Sequence, residues 1–253
     1  MTTAPARRAT SLPGPTPTPA PAPARGAVGR RIGWTWLALS SLAIAVYSVS
    51  PYLMSSLQAL SEQGVGLART YEHAPAFAQA AFYAHIVAGG IALVVSPFQF
   101  WAGLRNRFPK VHRWMGAVAL LAIGVAGVCA LVIAPFSKAG LAGLVGFGAM
   151  GLCWLASGWL ALRAIRRRDI RSHRAWMMRA FALTYGAVTL RLWIGLLVFA
   201  QVPFAEGGFD FDAAFANAYG LVPFLCWIPN LLIAEWLIAR RGLPGFRLVD
   251  PRA

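Results

Sequence analysis

Six runs of apolar residues, each about 20 residues or longer, constrain this chain more than any other feature. They lie near residues 33–54, 76–101, 114–136, 140–165, 175–200 and 213–239. A run of that length crosses the ~30 Å hydrocarbon core of a bilayer as a helix. In lipid, only helices and closed barrels satisfy their own backbone groups. The expected fold is therefore all-α, a polytopic membrane helical bundle of six transmembrane helices spanning 32–240. Charged residues make up only 12% of the 253, about half the share of a soluble domain. Too little polar sequence remains outside the runs for a separate soluble domain.

The formal charge of +15 would suit nucleic acid, but the placement of the charges argues against that partner. Apart from Arg69, Lys138 and Arg191, every Lys and Arg falls in the N-terminal tail, 105–113, 163–179 or 240–252. These are alternate connections, the pattern that orients membrane proteins with basic loops in the cytoplasm. Glu62, Glu72, Glu206, Asp210 and Asp212 fall in the other connections. The expected arrangement is multi-pass, with both termini cytoplasmic and the lipid bilayer as the principal partner. Seven prolines between Pro5 and Pro23 make 1–31 an expected disordered cytoplasmic tail without signal-peptide features. A second short tail covers 241–253.

Cys129, Cys153 and Cys226 sit inside apolar runs without metal-ligand spacing and read as packing residues. No phosphate-binding Gly loop, GxSxG or HExxH occurs. Gly143, Gly146, Gly148 and Gly151 read as small residues that let helices approach. Seven tryptophans near span ends (Trp34, Trp36, Trp101, Trp114, Trp159, Trp176, Trp236) read as interface anchors. Two hairpins share a pattern: Trp101 and Arg105 before His112, Arg113, Trp114 and Met115, then Trp159 and Arg163 before His173, Arg174, Trp176 and Met177. That suggests a parallel repeat, with chance recurrence as the competing account.

Ionisable groups inside hydrocarbon cost about 2.5–3.5 kcal/mol on insertion scales for a central Arg, so each calls for a reason. They group at two depths. At the cytoplasmic level, His112 and His173 precede ascending spans, with Gln99, Asn230 and Glu235 approaching from the second and sixth. Two such histidines suit the iron of a b-type haem, or a divalent metal with Glu235; the plainer account is interface histidines near lipid phosphates. Deeper lie His85, about 14 Å below the outer edge, and Arg191, about 6 Å below it at 1.5 Å per residue, with Tyr185, Asn217 and Tyr219 near them. A cation and a titratable imidazole without an intramembrane carboxylate suit a haem propionate, a quinone carbonyl or an anionic substrate. The plainer account has Arg191 snorkelling and His85 bonded to a neighbouring helix.

The segments HIVAGGIAL at 85–93, PFQFW at 97–101, LR at 104–105 and HRWMG at 112–116 together resemble a bacterial family of predicted membrane proteins, domain of unknown function 2306. HRAWMMR at 173–179 and Arg191 are similar to that family's second block, and the resemblance covers roughly 40–240. It implies a multi-helix inner-membrane fold and no established activity. The chain is also distantly similar to the four-helix cores of b-type cytochromes and ferric reductases. It departs from the two-haem pattern, since its remaining histidine, His73, lies outside the second span. The expectation is a membrane redox or electron-transfer component, with His112 and His173 as haem ligands and a quinone or propionate at His85 and Arg191. The alternatives are a transporter or small-ligand-binding protein, and a non-catalytic scaffold.

Overall fold

The computed structural model describes residues 25–205 and 208–245, with side chains from Val28 onward. Residues 1–24 of the expected disordered tail, Glu206 of the acidic connection and residues 246–253 lie outside the described residues. Among the described residues all regular structure is helical, and six stretches are long and apolar enough to span a membrane. Their outward faces carry bare apolar side chains such as Leu121 and Leu141, 71% and 75% exposed. In water that surface would be unstable; against lipid tails it is matched.

The first span, α1 (Arg25–Met54), begins earlier than its apolar run, because the helix continues through Arg30 and Arg31. Two short helices follow, α2 (Leu57–Glu62) and α3 (Ala68–Tyr71). Ser56 caps α2, accepting from the Ala59 amide at 3.2 Å. Gly66 turns the chain at φ +55°, and a Cβ there would meet the Tyr52 hydroxyl at 2.6 Å. That hydroxyl accepts the Leu67 amide, and the Tyr71 ring stacks on Phe82 at 4.2 Å. The segment is thus pinned onto the ends of the first two spans.

The second span is α4 (Ala76–Gln99), followed by the short α5 (Ala102–Arg107). The third, α6 (Pro109–Ile133), starts on a proline whose missing N–H costs nothing at the first turn. The fourth, α7 (Gly140–Arg166), runs unbroken. The fifth consists of α8 (Ile170–Thr184) and α9 (Gly186–Phe199), and the sixth of α10 (Phe211–Leu225) and α11 (Ile228–Arg240). Asp169 and Asp210 cap α8 and α10 through the amides of Ser172 and Ala213. The Ser172 bonds hold the exposed Asp169 carboxyl below its ordinary range.

The repeated hairpins differ in build. The first breaks after Gln99 and inserts α5, whereas α7 carries its Trp159 through to Arg166 without interruption. His112 and His173 both fall inside first helical turns rather than before them. Pro109 and Asp169 start these helices below the apolar runs, which hydropathy alone does not register.

In the bundle, α4 packs along α6, α6 along α7, α7 along α8, and α1 along α4. The α10 helix lies against α9 and α7, and α11 against α8. The centre is built from Ala88, Ala92, Ala122, Ala126 and Ala180 around Trp154, Leu183 and Val222. Small side chains there let backbones approach where no hydrophobic force between helices exists.

Candidate ligand site within the bundle

The fifth and sixth spans break side by side. Gly186 leaves room there: a Cβ would sit 2.5 Å from Met150 Cε and 3.4 Å from the Cys226 carbonyl oxygen. The Cys226 carbonyl accepts from Thr189 Oγ1 at 2.6 Å and from Asn230 Nδ2 at 3.1 Å. Asn230 also donates to the Ala182 carbonyl and Thr189. Asn230, expected beside the two histidines, instead repairs the break that Pro229 helps to create. Trp154 Nε1 donates to Thr184 Oγ1, and Trp227 Nε1 to the Pro223 carbonyl. Backbone polarity freed inside lipid is thereby satisfied by neighbouring side chains.

Above this joint lies a cavity of about 230 Å³, reached by α1, α3, α4, α7, α9 and α10. His85 and Arg191 both line it, as do Ser48, Thr70, Tyr71 and Tyr219. Lys138, Ser137 and Thr184 also line it, and the rest of the wall is mostly apolar, with Phe82, Phe147, Met150 and Trp154 among the contributors. His85 Nδ1 lies 2.9 Å from the Ala126 carbonyl oxygen. A carbonyl only accepts, so Nδ1 carries the proton and Nε2 keeps a lone pair. Arg191 donates to the Ala187 carbonyl and to Ser48 Oγ, each at 2.8 Å. It lies within electrostatic reach of His85 and Tyr219, and no carboxylate bonds it among the described residues. Thr70 Oγ1 is buried without a hydrogen-bond partner. Burial pushes the Tyr71 phenol well above its ordinary range, so it remains a neutral O–H.

Two residues expected near this level are engaged elsewhere. Tyr185 bonds Ser40 on α1 at 2.8 Å, and the exposed Asn217 donates to Gln201. Ser48, Thr70 and Tyr71 were not signalled by the sequence. Ser48 sits among other small residues of the first span, and Thr70 and Tyr71 belong to a connection, so only the fold brings them inward.

At the basic end, His112 and His173 lie within electrostatic reach of each other. His173 Nδ1 is 2.9 Å from the Ala161 carbonyl oxygen. His112 Nδ1 is buried without a partner, as is Nε2 of Gln99. Gln99 packs onto the helix that carries His112, since a Cβ on Gly116 would sit 3.2 Å from Gln99 Oε1. Glu235 does not join the histidines. Both its oxygens accept from Arg179, at 2.8 Å for Nη2, and Arg179 also lies 4.4 Å over the Trp176 ring. Among the described residues no three His, Cys, Asp or Glu side chains gather as a metal site.

The model of a family described as predicted membrane protein (DUF2306) matches residues 82–238. No curated protein and no solved structure matches the chain. The matched region contains His85, Gln99, His112, His173, Arg191 and Glu235, and omits the first span with Ser48.

Proposed function

The chain belongs to this family of predicted membrane proteins, and on that premise we propose that it binds a small membrane-dissolved molecule with a polar oxygen head in the His85–Arg191 cavity. The observation that carries the reading is Arg191. A guanidinium inside hydrocarbon is costly, and among the described residues its hydrogen bonds go to a backbone carbonyl and one serine hydroxyl. Five N–H donors ask for more than that, and an oxygen-bearing ligand supplies the missing acceptors. At about 230 Å³, the space falls just below the ~300–1,000 Å³ common for small-molecule pockets. It suits a head group, with any tail left in the bilayer. Quinone-type redox chemistry and carriage of a small amphiphile both begin with such binding.

The test is thermal unfolding of the purified protein in mild detergent with decylubiquinone, its reduced form or laurate added. At least one probe should raise the midpoint in wild type, and the shift should vanish in Arg191→Met. Absence of any shift in folded wild-type protein removes the reading.

A second reading, one haem b between His112 and His173, is favoured by a separate observation. The Ala161 bond fixes the His173 tautomer with Nε2 available, as in metal-ligating histidines. The buried Nδ1 of His112 has nothing to meet, and an iron ligand role would account for it. Bound haem would supply one-electron transfer; the chain's contribution would be the two imidazoles. A dithionite-reduced-minus-oxidised spectrum decides: sharp α and Soret bands lost in His112→Ala or His173→Ala are expected, and a featureless spectrum from haem-replete cells removes the reading.

Charge placement supports an inner-membrane location with both termini cytoplasmic.

A further inference from the structure

Resting on the ligand-binding reading of the cavity, we infer that its ligand is of the hydroquinone class: an aromatic ring carrying a hydroxyl donor for His85 and a second oxygen that accepts from Arg191. The selective element is the His85 tautomer. Nδ1–H is held by Ala126 O, and a second positive charge inside the span beside the Arg191 guanidinium is costly, so the ring is neutral and offers an acceptor and no donor. A quinone carries only acceptors on its ring, so a carbonyl facing Nε2 would set two lone pairs against each other and leave both unsatisfied. A carboxylate has the same defect. Leaving such buried groups unpaired is unfavourable. A hydroxyl removes the conflict by donating to Nε2, while Arg191 still requires an acceptor.

The rest of the wall agrees with an aromatic head. Phe82, Phe147 and Trp154 offer ring faces and edges, and Met150 a polarizable sulfur. Tyr71 and Tyr219 add phenols at the same cavity, Thr70 a hydroxyl without a hydrogen-bond partner among the described residues, and Lys138 an ammonium. The hydroxyls adapt to either oxygen of the head and Lys138 serves any acceptor, so the discrimination between the two redox forms falls to His85.

Binding of decylubiquinol, held reduced under nitrogen with dithionite, is compared with binding of decylubiquinone and laurate by titration of the detergent-solubilised full chain. The reduced form should bind about tenfold more tightly than the oxidised, the worth of one well-placed buried hydrogen bond. His85→Leu should erase that preference, and His85→Gln, whose amide oxygen also accepts, should retain most of it. Arg191→Met should weaken both forms. Equal or tighter binding of the oxidised form, or laurate as the tightest probe, overturns the inference and leaves the ligand-binding reading standing. Binding of none of the three removes both.

Discussion

Two arginines of the fifth span, Arg179 and Arg191, meet the membrane in opposite ways. Arg179 is 2% exposed, forked onto the Glu235 carboxylate and laid over Trp176. Its role is structural: it ties α8 to α11 at the basic end. Arg191, among the described residues, bonds a carbonyl of its own helix and a serine of α1, with no carboxylate on it. Glu235→Ala should therefore destabilise the protein, because it strands the Arg179 charge. Fully buried pairs lose about 3–5 kcal/mol on such truncation; with Glu235 38% exposed, about 2 kcal/mol is expected once solvent screening is allowed for. Arg179→Met combined with Glu235→Leu should recover most of that loss in a thermal-unfolding assay. A single-mutant midpoint equal to wild type would remove the structural role assigned to the pair. The sequence placed Glu235 at the level of the two histidines. Which of these groups pair is a matter of helix rotation, and apolar periodicity does not report rotation when both faces are apolar.

At the scale of elements, the breaks in the fifth and sixth spans and the tight crossing of α7 and α10 set where the cavity lies. A Cβ on Gly146 would sit 2.6 Å from Pro223 Cβ and 2.9 Å from its carbonyl carbon and oxygen. Backbone atoms cannot yield as a side-chain tip can. Gly146→Ala should push α10 off α7 and cost about 1–3 kcal/mol, the range for overpacking. Gly148→Ala, with nothing within 4 Å, should be close to neutral. Thermal unfolding of the two variants side by side checks this, and equal midpoints would show that α7 and α10 do not touch as closely as described. From the sequence, Gly143, Gly146, Gly148 and Gly151 look alike as packing glycines. The structure separates them: Gly143 lies against Ser137, Gly146 against Pro223 and Gly151 against Leu131, while Gly148 stays open. Tryptophans divide similarly. Trp36, Trp114 and Trp236 are exposed toward lipid as anchors, whereas Trp34 donates to the Pro97 carbonyl and packs on Trp101.

For the molecule as a whole, an even number of candidate spans leaves the start of α1 and the end of α11 on the same side. Charge asymmetry predicts that this face is cytoplasmic. A cysteine placed at Gln63, in the segment between the first two spans, should react with an impermeant maleimide in intact cells after the outer barrier is opened. One placed at Arg167 should react only after lysis, and the reverse pattern would invert the topology. The span count, the all-helical class and the family were all legible in the sequence, because each depends on local quantities: run length, hydropathy, loop charge and short motifs. Helices in lipid bond internally, so their existence does not await a partner. The positions of His85 and Arg191 along their helices follow directly from residue number, which converts to height along a helix. Tertiary structure alone decided which side chains share a space. It drew Ser48, Thr70 and Tyr71 to the cavity, gave Tyr185 to Ser40, and turned Asn230 to the broken sixth span. Those outcomes depend on the rotation of each helix about its axis and on where the spans break. Both are set by packing between helices, and no single segment of sequence contains that information.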